Sequence, residues 1–356
     1  MTGLVQDGLV PYHDWAFEYP PLAIVPIALG GAFGNTEAIY PVTFGVLMLG
    51  CLLALQHWVG QLAGRSAMWA AALSPLVLGA MVRTHYDALP AAMVTGALVL
   101  FARGRTTWAF AALGLGTATK LFPVLLVPIA VAWLVGRGER DRVLPGVAAF
   151  TAVVVAVSLP FLSAGFVDQF TFHLERPVQI ESTPAIVLSA IGDSYVTGTP
   201  ARPDKFKSNG LAGGPADTVA ALFTALLAGA LLLIVALAAR GGDVRRLTLL
   251  GLAAVTAFAA LGQVLSPQYM VWLLPFAAAA WAWGDRAIAL LCATASALTM
   301  VEFPSRYFDL VDQDPAVVAV VAARNLVLLA LLAVTVATVA GPARSPRRAA
   351  AARSSG

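Results

Sequence analysis

Apolar runs of helical length, separated by short polar connections, dominate the sequence. The run ALFTALLAGALLLIVALAA at 221–239 is typical, and because it does not alternate between apolar and polar positions it predicts a helix rather than a strand. A helix needs about 20 apolar residues to cross a bilayer. We therefore predict an all-α polytopic membrane protein with about eleven transmembrane helices. The predicted spans are 38–58, 66–82, 87–102, 107–119, 121–136, 143–161, 216–239, 246–265, 268–283, 286–303 and 316–340.

Residues 22–34, LAIVPIALGGAFG, are apolar but brief, and they contain Pro26 and a glycine pair. This segment predicts a re-entrant or interfacial piece rather than a span. The domain organisation follows from these runs. We divide the chain into an integral-membrane unit at 1–340, which includes a large loop at 162–215, and a basic, disordered tail at 341–356.

Basic residues decide the predicted orientation. Alternation of the loops places 14 arginines on one side of the membrane, and the positive-inside rule makes that side cytoplasmic. The N-terminus then lies outside and the C-terminus inside. Only four of the 19 acids fall on the inner side, so the polar clusters described below all meet on the outer side. The 14 arginines are Arg65, Arg103, Arg105, Arg137, Arg140, Arg142, Arg240, Arg245, Arg246, Arg286, Arg344, Arg347, Arg348 and Arg353.

Composition supports the membrane assignment and excludes several classes of function. The chain is 59% hydrophobic and 12% charged, whereas soluble domains carry about 25% charged residues. Most arginines lie in short loops, so the pI near 9.0 reflects topology and predicts no nucleic-acid partner. Cys51 and Cys292 lie inside apolar segments and predict no disulfide. The sequence contains no Walker loop, GxGxxG fingerprint, HExxH or CxxC, so we expect no nucleotide cofactor and no metal.

The stretch VPYHDWAFEYPPL at 10–22 places two acids beside the first apolar segment. A helical turn would put Asp14 and Glu18 on one side before Pro20-Pro21 ends it. Partial desolvation raises the pKa of a carboxylate, which suits a general base at the membrane surface. The alternative is an ordinary solvated loop of acids.

Charged residues also occur where two predicted spans meet. Arg83, His85 and Asp87 occupy one such junction, where charges usually face a cavity or one another. The alternative is an Arg83–Asp87 pair that closes a turn. Lys120 lies between two apolar runs that could be one helix broken at this point. Its ammonium group either faces a cavity and binds an anionic phosphate, or extends to the headgroups.

The first half of the long loop has helical character, and Gln169, His173 and Arg176 would share one helical face. Together with Glu175 and Glu181, the basic residues could form an anion clamp with an acid beside it. The alternative is a set of solvated loop charges. The second half of the loop is rich in glycine, proline and serine and predicts irregular structure.

Two further polar junctions follow the loop. Gln268 and Tyr269 open a span, where their polar groups need partners. Tyr269 and Trp272 could equally be interfacial aromatic residues. Glu302 and Arg306, four residues apart, predict a surface ion pair.

Five short motifs occur in an order that resembles glycosyltransferase family 87: GLVPYHDWAFEYPPL, RTHYDAL, TKLFPVLLVP, FHLERPVQIES and SPQYMVWLLP. The resemblance covers residues 8–310 and is strongest at YPPL and SPQY. It implies a C-type integral-membrane glycosyltransferase, similar to the actinobacterial polyprenyl-phosphate-mannose-dependent α-mannosyltransferases. The implied reaction is inverting transfer of a sugar, mannose above all, on the outer face of the plasma membrane. The implied partners are a polyprenyl-phosphate sugar donor, a glycolipid or polysaccharide acceptor of the cell envelope, and the lipid bilayer.

The resemblance also gives the outward residues roles in this reaction. An acid must take the acceptor proton, and cations must stabilise the lipid-phosphate leaving group without any need for a metal. The candidate acids are Asp14, Glu18 and Asp87. The candidate donor-phosphate ligands are Arg83, His85, Lys120, His173 and Arg176, and the candidate substrate-lining residues are Tyr12, Tyr19, Glu181, Gln268 and Tyr269.

Family members begin with a transmembrane helix and an outer loop that carries the catalytic aspartate, whereas this sequence begins at MTGLVQDGLVPY. We therefore expect either an upstream in-frame helix or a degenerate member. Within the sequence Asp14 is the best candidate base and Asp7 a weaker one. Two alternatives are a polyprenyl-lipid transporter or flippase and a non-catalytic subunit of a glycan-assembly complex. The crowding of polar residues on one face argues against the transporter.

Overall fold

The structure is a computed structural model that describes residues 7–202 and 208–341. Helices make up 73% of it, so the predicted helical class is confirmed. The predicted basic tail lies, from residue 342 onward, outside the described residues. Helices α1 to α9 occupy the first half of the chain: Ile24–Gly30, Ile39–Ala63, Arg65–Leu73, Pro75–Leu78, Met81–Thr84, Ala88–Ala102, Thr106–Thr119, Leu126–Gly136 and Val143–Ser158.

The second half of the chain combines further helices with a small sheet. Helices α10 to α17 are Ala164–Leu174, Thr183–Ile191, Ala216–Ala238, Val244–Leu261, Tyr269–Ala282, Arg286–Glu302, Tyr307–Val311 and Pro315–Ala340. Strands β1 (Val178–Gln179), β2 (Tyr195–Thr197) and β3 (Gly210–Ala212) form an antiparallel sheet in the order β1-β3-β2. The part of the long loop that was predicted to be irregular therefore contributes two strands.

Five helices among the described residues are long and apolar enough to cross a membrane. The count of eleven spans and the orientation stay predictions. The predicted span 66–82 consists of three short helices, because Pro75 interrupts the backbone hydrogen bonds and Gly79 adopts a positive φ of 55°. The five long helices are Ile39–Ala63, Arg140–Phe161, Ala216–Ala238, Val244–Leu261 and Pro315–Ala340.

Helix α13 (Val244–Leu261) is the central helix of the molecule. In its most apolar window 78% of the residues are buried, against 11% in Arg140–Phe161. Small residues such as Gly251, Ala253 and Ala257 allow its neighbours to pack closely against it. The peripheral helix α2 instead exposes Val42, which is 65% accessible, on a face of large apolar side chains. An outer apolar face of this kind suits contact with lipid.

The two ends of the helices differ in charge. At one end, which we call the arginine end, Arg246 donates to the carbonyls of Leu237 and Val339 near the C-termini of two helices. Arg245 Nη2 lies 2.6 Å from Asp285 Oδ2 at the same end. Cations near helix C-termini are favoured by the helix dipole. The opposite end, which we call the site end, carries Asp87 and Lys120.

Candidate active site

A buried ion pair lies at the centre of the site end. Lys120 Nζ lies 2.7 Å from Asp87 Oδ1 and 2.9 Å from Oδ2. Lys120 reaches this position because α7 ends at Thr119 and the next residue is extended, with φ −155° and ψ 142°. Asp87 lies immediately before α6 and is fully buried. The alternative Arg83–Asp87 pair is wrong, because Asp87 binds Lys120 instead.

Aromatic rings surround the Lys120 ammonium group. Its nitrogen lies 4.8 Å from the ring centroid of Tyr86, 5.6 Å from that of Tyr19 and 5.7 Å from that of Trp272. Each contact is within cation–π range, and such contacts are stronger in a desolvated setting. We call Lys120, Asp87 and these three rings the lysine cage. It holds the Lys120–Asp87 ion pair where few water molecules can screen it.

Trp272 connects the lysine cage to helix α14. Its indole N–H donates to Asp87 Oδ1 over 2.5 Å, which gives the carboxylate a second donor. The indole ring stacks on Phe122 at 4.3 Å and on Tyr269 at 3.8 Å between centroids. The buried indole therefore fixes the start of α14, and with it Tyr269, against the cage. The sequence marked Trp272 only as an interfacial aromatic residue.

The opening stretch forms a tight turn and not a helix. Tyr12 has a positive φ of 67°, and its N–H donates to the Trp15 carbonyl over 2.9 Å. The prediction that Asp14 and Glu18 share a helical face is therefore wrong. The Tyr12 ring is 4% exposed and packs edge-on against Phe17. Tyr12 thus contributes to the core, and its hydroxyl donates to the Tyr19 carbonyl.

Asp14 and Glu18 lie in different surroundings. Asp14 is exposed, and its carboxylate accepts from the Val10 N–H at 2.7 Å and faces His13 Nδ1 at 2.8 Å. These hydrogen bonds, that of Val10 first, lower the pKa of Asp14. Glu18 is half-buried and faces Tyr19, whose pKa is raised by burial and then by the charges of Glu18 and Asp87. Of these two acids, Glu18 is therefore the one that lies beside a ring of the lysine cage.

Arg176 approaches the same region from the long loop. Its charge acts on Tyr19 and on Tyr269, and its Nε donates to Ser208 Oγ over 3.1 Å. It lies beyond the end of α10, so it does not continue the helical face of Gln169. The side chain of His173, predicted to join it, lies outside the described residues.

Arg176 also borders a polar cavity of about 570 Å³, a size typical of small-molecule sites. The cavity lies between β1, β3 and the first turns of α12. Its polar lining consists of Arg176, Glu175, Asp217 and Gln263, and the rest of its wall includes small residues such as Ala216.

Two other predicted phosphate ligands lie at the edge of the site. Arg83 is exposed and forms no salt bridge with the described residues. His85 is half-buried beside Thr84, and its ring lies 6.4 Å from that of Phe303. Burial lowers the pKa of His85, so this side chain favours its neutral form. Neither side chain enters the lysine cage.

Glu181, predicted to line the substrate site, is instead buried against Arg324. Arg324 Nη1 lies 3.8 Å from Glu181 Oε1 and 3.9 Å from Glu302 Oε2. The predicted Glu302–Arg306 surface pair is wrong, because Glu302 is 1% exposed and Arg306 binds Asp309 at 3.2 Å. Arg324 is not among the predicted site residues, although an arginine inside an apolar run is itself a signal.

Gln268 accepts a hydrogen bond from Ser266 Oγ over 2.7 Å just before α14. An apolar groove of about 220 Å³ begins beside the next turn, at Met270, and follows α14 as far as Trp281. Its other walls are α3, α4 and α15, with Leu290 open to the outside. Among the described residues no cluster of three or more histidines, cysteines or acids could hold a metal ion.

The fold and the site together define a polytopic helical membrane protein with a charged, aromatic-lined site at one end of its helices. The model of glycosyltransferase family 87 matches residues 17–267, which is most of the chain. The chain belongs to this family and is a membrane glycosyltransferase. No curated protein matches the chain. Trp272, Glu302 and Arg324 lie beyond the matched residues.

Proposed function

We propose that the protein transfers mannose from a polyprenyl-phosphate-linked donor to a glycolipid or polysaccharide of the cell envelope. The reaction takes place on the outer face of the plasma membrane and inverts the anomeric carbon. The observation that carries the proposal is the convergence of charges on Tyr19. The Lys120 ammonium lies over its ring, and the charges of Arg176, Glu18 and Asp87 act on its hydroxyl.

Two cations and one acid are the groups that this transfer needs. The acceptor oxygen attacks the anomeric carbon while the bond from that carbon to the phosphate oxygen breaks. Lys120 and Arg176 stabilise the negative charge that develops on the departing lipid phosphate. Glu18 takes the acceptor proton as general base. Asp87 accepts from Lys120 and Trp272, so its role is to hold the ammonium group rather than to take a proton.

The apolar groove along α14 supports a lipid-linked donor. It begins at Met270, one residue after Tyr269, and we propose that the lipid chain lies with its phosphate end at this end of the groove. Its walls are almost entirely apolar, from Leu273 to Ala293, and a branched isoprenoid chain would bury methyl groups there. The charged diphosphate and the ribose of a nucleotide-linked sugar would be costly to bury in such a groove.

The polar cavity beside Arg176 supports a hydroxyl-rich acceptor. Glu175 and Asp217 carry negative charge, Arg176 carries positive charge, and Gln263 offers an amide. This mixture of donors and acceptors suits the hydroxyl groups of a sugar. The cavity lies at the end of α12, a candidate span, so a glycolipid headgroup could reach it from the membrane surface.

The test uses membranes that contain the full chain, incubated with cell-envelope acceptors and radiolabelled mannose. One sample receives polyprenyl-phosphate-mannose and a parallel sample receives a nucleotide-linked mannose. We expect label in a new product from the lipid donor alone. Label from the nucleotide sugar alone, or from neither donor, would contradict the proposal, as would export of intact donor without transfer.

Two variants test the assigned roles. Glu18→Gln should abolish transfer and spare donor binding, with Glu37→Gln as the matched exposed control. Arg176→Ala should weaken donor binding about tenfold, the effect of one charge-assisted hydrogen bond. Arg202→Ala, in the same loop but stacked on Tyr195, is its control. Full activity of both site variants would refute the assignment.

A further inference from the structure

A second buried ionic cluster lies next to the candidate active site. Arg324 is 1% exposed in the middle of the apolar helix α17, and Glu181 and Glu302 face its guanidinium group from the long loop and from the end of α15. We call these three residues the buried triad. None of them is part of the transfer chemistry proposed above. Charged residues inside apolar helices are rare, and they usually have a function.

The guanidinium group also holds backbone of the long loop. Arg324 Nη2 donates to the Glu181 carbonyl over 2.5 Å, and Asn325 Nδ2 donates to the same oxygen over 3.2 Å. The Asn325 side chain in turn accepts from Arg324 Nε over 3.0 Å. One carbonyl of the loop thus receives two side-chain donors from α17, which fixes the loop to this helix.

The segment so fixed connects both halves of the active site. The Gln179 N–H donates to the Gln263 carbonyl over 2.9 Å, and the Gln179 side-chain oxygen accepts from the Leu265 N–H over 3.2 Å. The 262–268 connection leads directly into Tyr269 and α14. Arg176 precedes Gln179 by three residues. A shift of this segment would therefore move Arg176 and Tyr269 together.

We infer that Arg324 is a positioning residue of the transferase: through the Glu181 carbonyl and Gln179 it sets the distance between Arg176 and the lysine cage. This inference rests on the proposed function for its kinetic test. It also makes a structural statement that is independent of the donor. Arg324 itself touches neither the cage nor the polar cavity.

The charges of the buried triad make its geometry sensitive to pH. Burial, and then the charge of Glu302, raise the pKa of Glu181 to about 8. One proton held by the two carboxyl groups gives the triad zero net charge, because one ionised acid then balances the Arg324 guanidinium group. Loss of the proton above pH 8 leaves one uncompensated negative charge in a buried site. The phenol groups of Tyr269 and Tyr307 also face Glu181.

Hydrogen exchange of the full-length protein in detergent tests the structural part. Arg324→Met should speed exchange of the amides in 176–182 and 262–269 at least tenfold and leave 137–145, at the arginine end, unchanged. Arg324→Lys should recover part of the protection, because one ammonium can still donate to the Glu181 carbonyl. Arg306→Met is the matched control. Unchanged exchange in Arg324→Met, or faster exchange throughout the chain, would overturn the inference.

Kinetics test the positioning part. Arg324→Met should raise KM for the donor and lower kcat, whereas a loss of folded protein alone would lower the apparent kcat and leave KM unchanged. The wild-type rate should fall above pH 8. Glu302→Gln should remove that fall, because an ionised Glu181 then balances Arg324 in the alkaline range and no proton has to be lost there. An identical alkaline fall in this variant would overturn the pH coupling.

Together, hydrogen exchange and kinetics distinguish a failure of this inference from a failure of the proposed function. If wild-type membranes transfer no mannose from any donor, the proposed function fails. The exchange of 176–182 in Arg324→Met still decides whether Arg324 fixes the loop.

Discussion

Two buried charge clusters lie at the site end of the molecule, and they are built differently. In the lysine cage one cation faces one carboxylate at 2.7 Å, and Trp272 supplies an additional donor. In the buried triad two carboxylic acids face one guanidinium group at 3.8 Å and 3.9 Å. The cage is neutral with both groups ionised, whereas the triad is neutral only when it retains a proton.

Each cluster can serve a transferase in its own way. The cage pairs one carboxylate with one ammonium group in short contact, so it suits a fixed electrostatic role at the reacting phosphate. The triad has two acids for one guanidinium group, so its charge depends on a proton. It acts on the site through the loop backbone that Arg324 binds.

Asp87→Asn should be the most destabilising change. It leaves the Lys120 ammonium buried without a counter-charge, and breaking such a pair costs about 3–5 kcal/mol. Thermal unfolding in detergent measures the loss, and Asp87→Asn combined with Lys120→Met should recover part of it. Glu139→Gln, in a partly exposed pair with Arg137, should cost about 1 kcal/mol or less. An equal loss of stability in Asp87→Asn and Glu139→Gln would contradict the difference between buried and exposed ion pairs.

The triad should make the stability of the protein depend on pH. Glu181 has a pKa of about 8 when folded and 4.5 as its ordinary value. The folded state therefore binds more protons at this group, so the contribution of Glu181 to stability is fully present below pH 4.5 and is lost as the pH rises through about 8. Glu181→Gln should flatten this part of the stability curve. The melting temperature of both proteins, measured between pH 5 and pH 9, checks the prediction, and parallel curves would contradict it.

Trp272→Phe should have an intermediate effect. Phenylalanine keeps an aromatic ring between Phe122 and Tyr269 but removes the N–H that donates to Asp87. Loss of a donor to a buried carboxylate costs about 1–3 kcal/mol. Thermal unfolding should show this loss, while Trp281→Phe, at the far end of the same helix, should have less effect. A wild-type melting temperature in Trp272→Phe would mean that the indole N–H contributes nothing to stability.

Arg306→Ala should have the smallest effect. Its guanidinium group binds Asp309 at 3.2 Å near the surface, where both side chains are partly exposed. Exposed pairs of this kind contribute about 0–1 kcal/mol. The melting temperature and the pH dependence should both stay close to those of the wild type. A large shift would indicate that Arg306, and not Arg324, balances Glu302.

Part of the candidate site could be predicted from the sequence. Lys120 and Asp87 stood out because charged residues beside apolar runs must face a partner or a cavity. Their pairing with each other could not be predicted, since 33 residues separate them and the nearer Arg83 offered an equally plausible partner. Glu302 shows the same limit. Its spacing from Arg306 favoured a local pair, whereas helix packing placed it beside Arg324 instead.

The class of the protein can be predicted from residue order alone, because the length and composition of apolar runs are local properties. The break at Lys120 and the family are predictable in the same way, since the family's motifs follow one another along the chain. Which charges meet depends on how the helices and loops pack. The partners of Asp87, Glu181 and Arg324 come from helices and loops distant in sequence, and the cost of burying each charge is known only once those elements are packed.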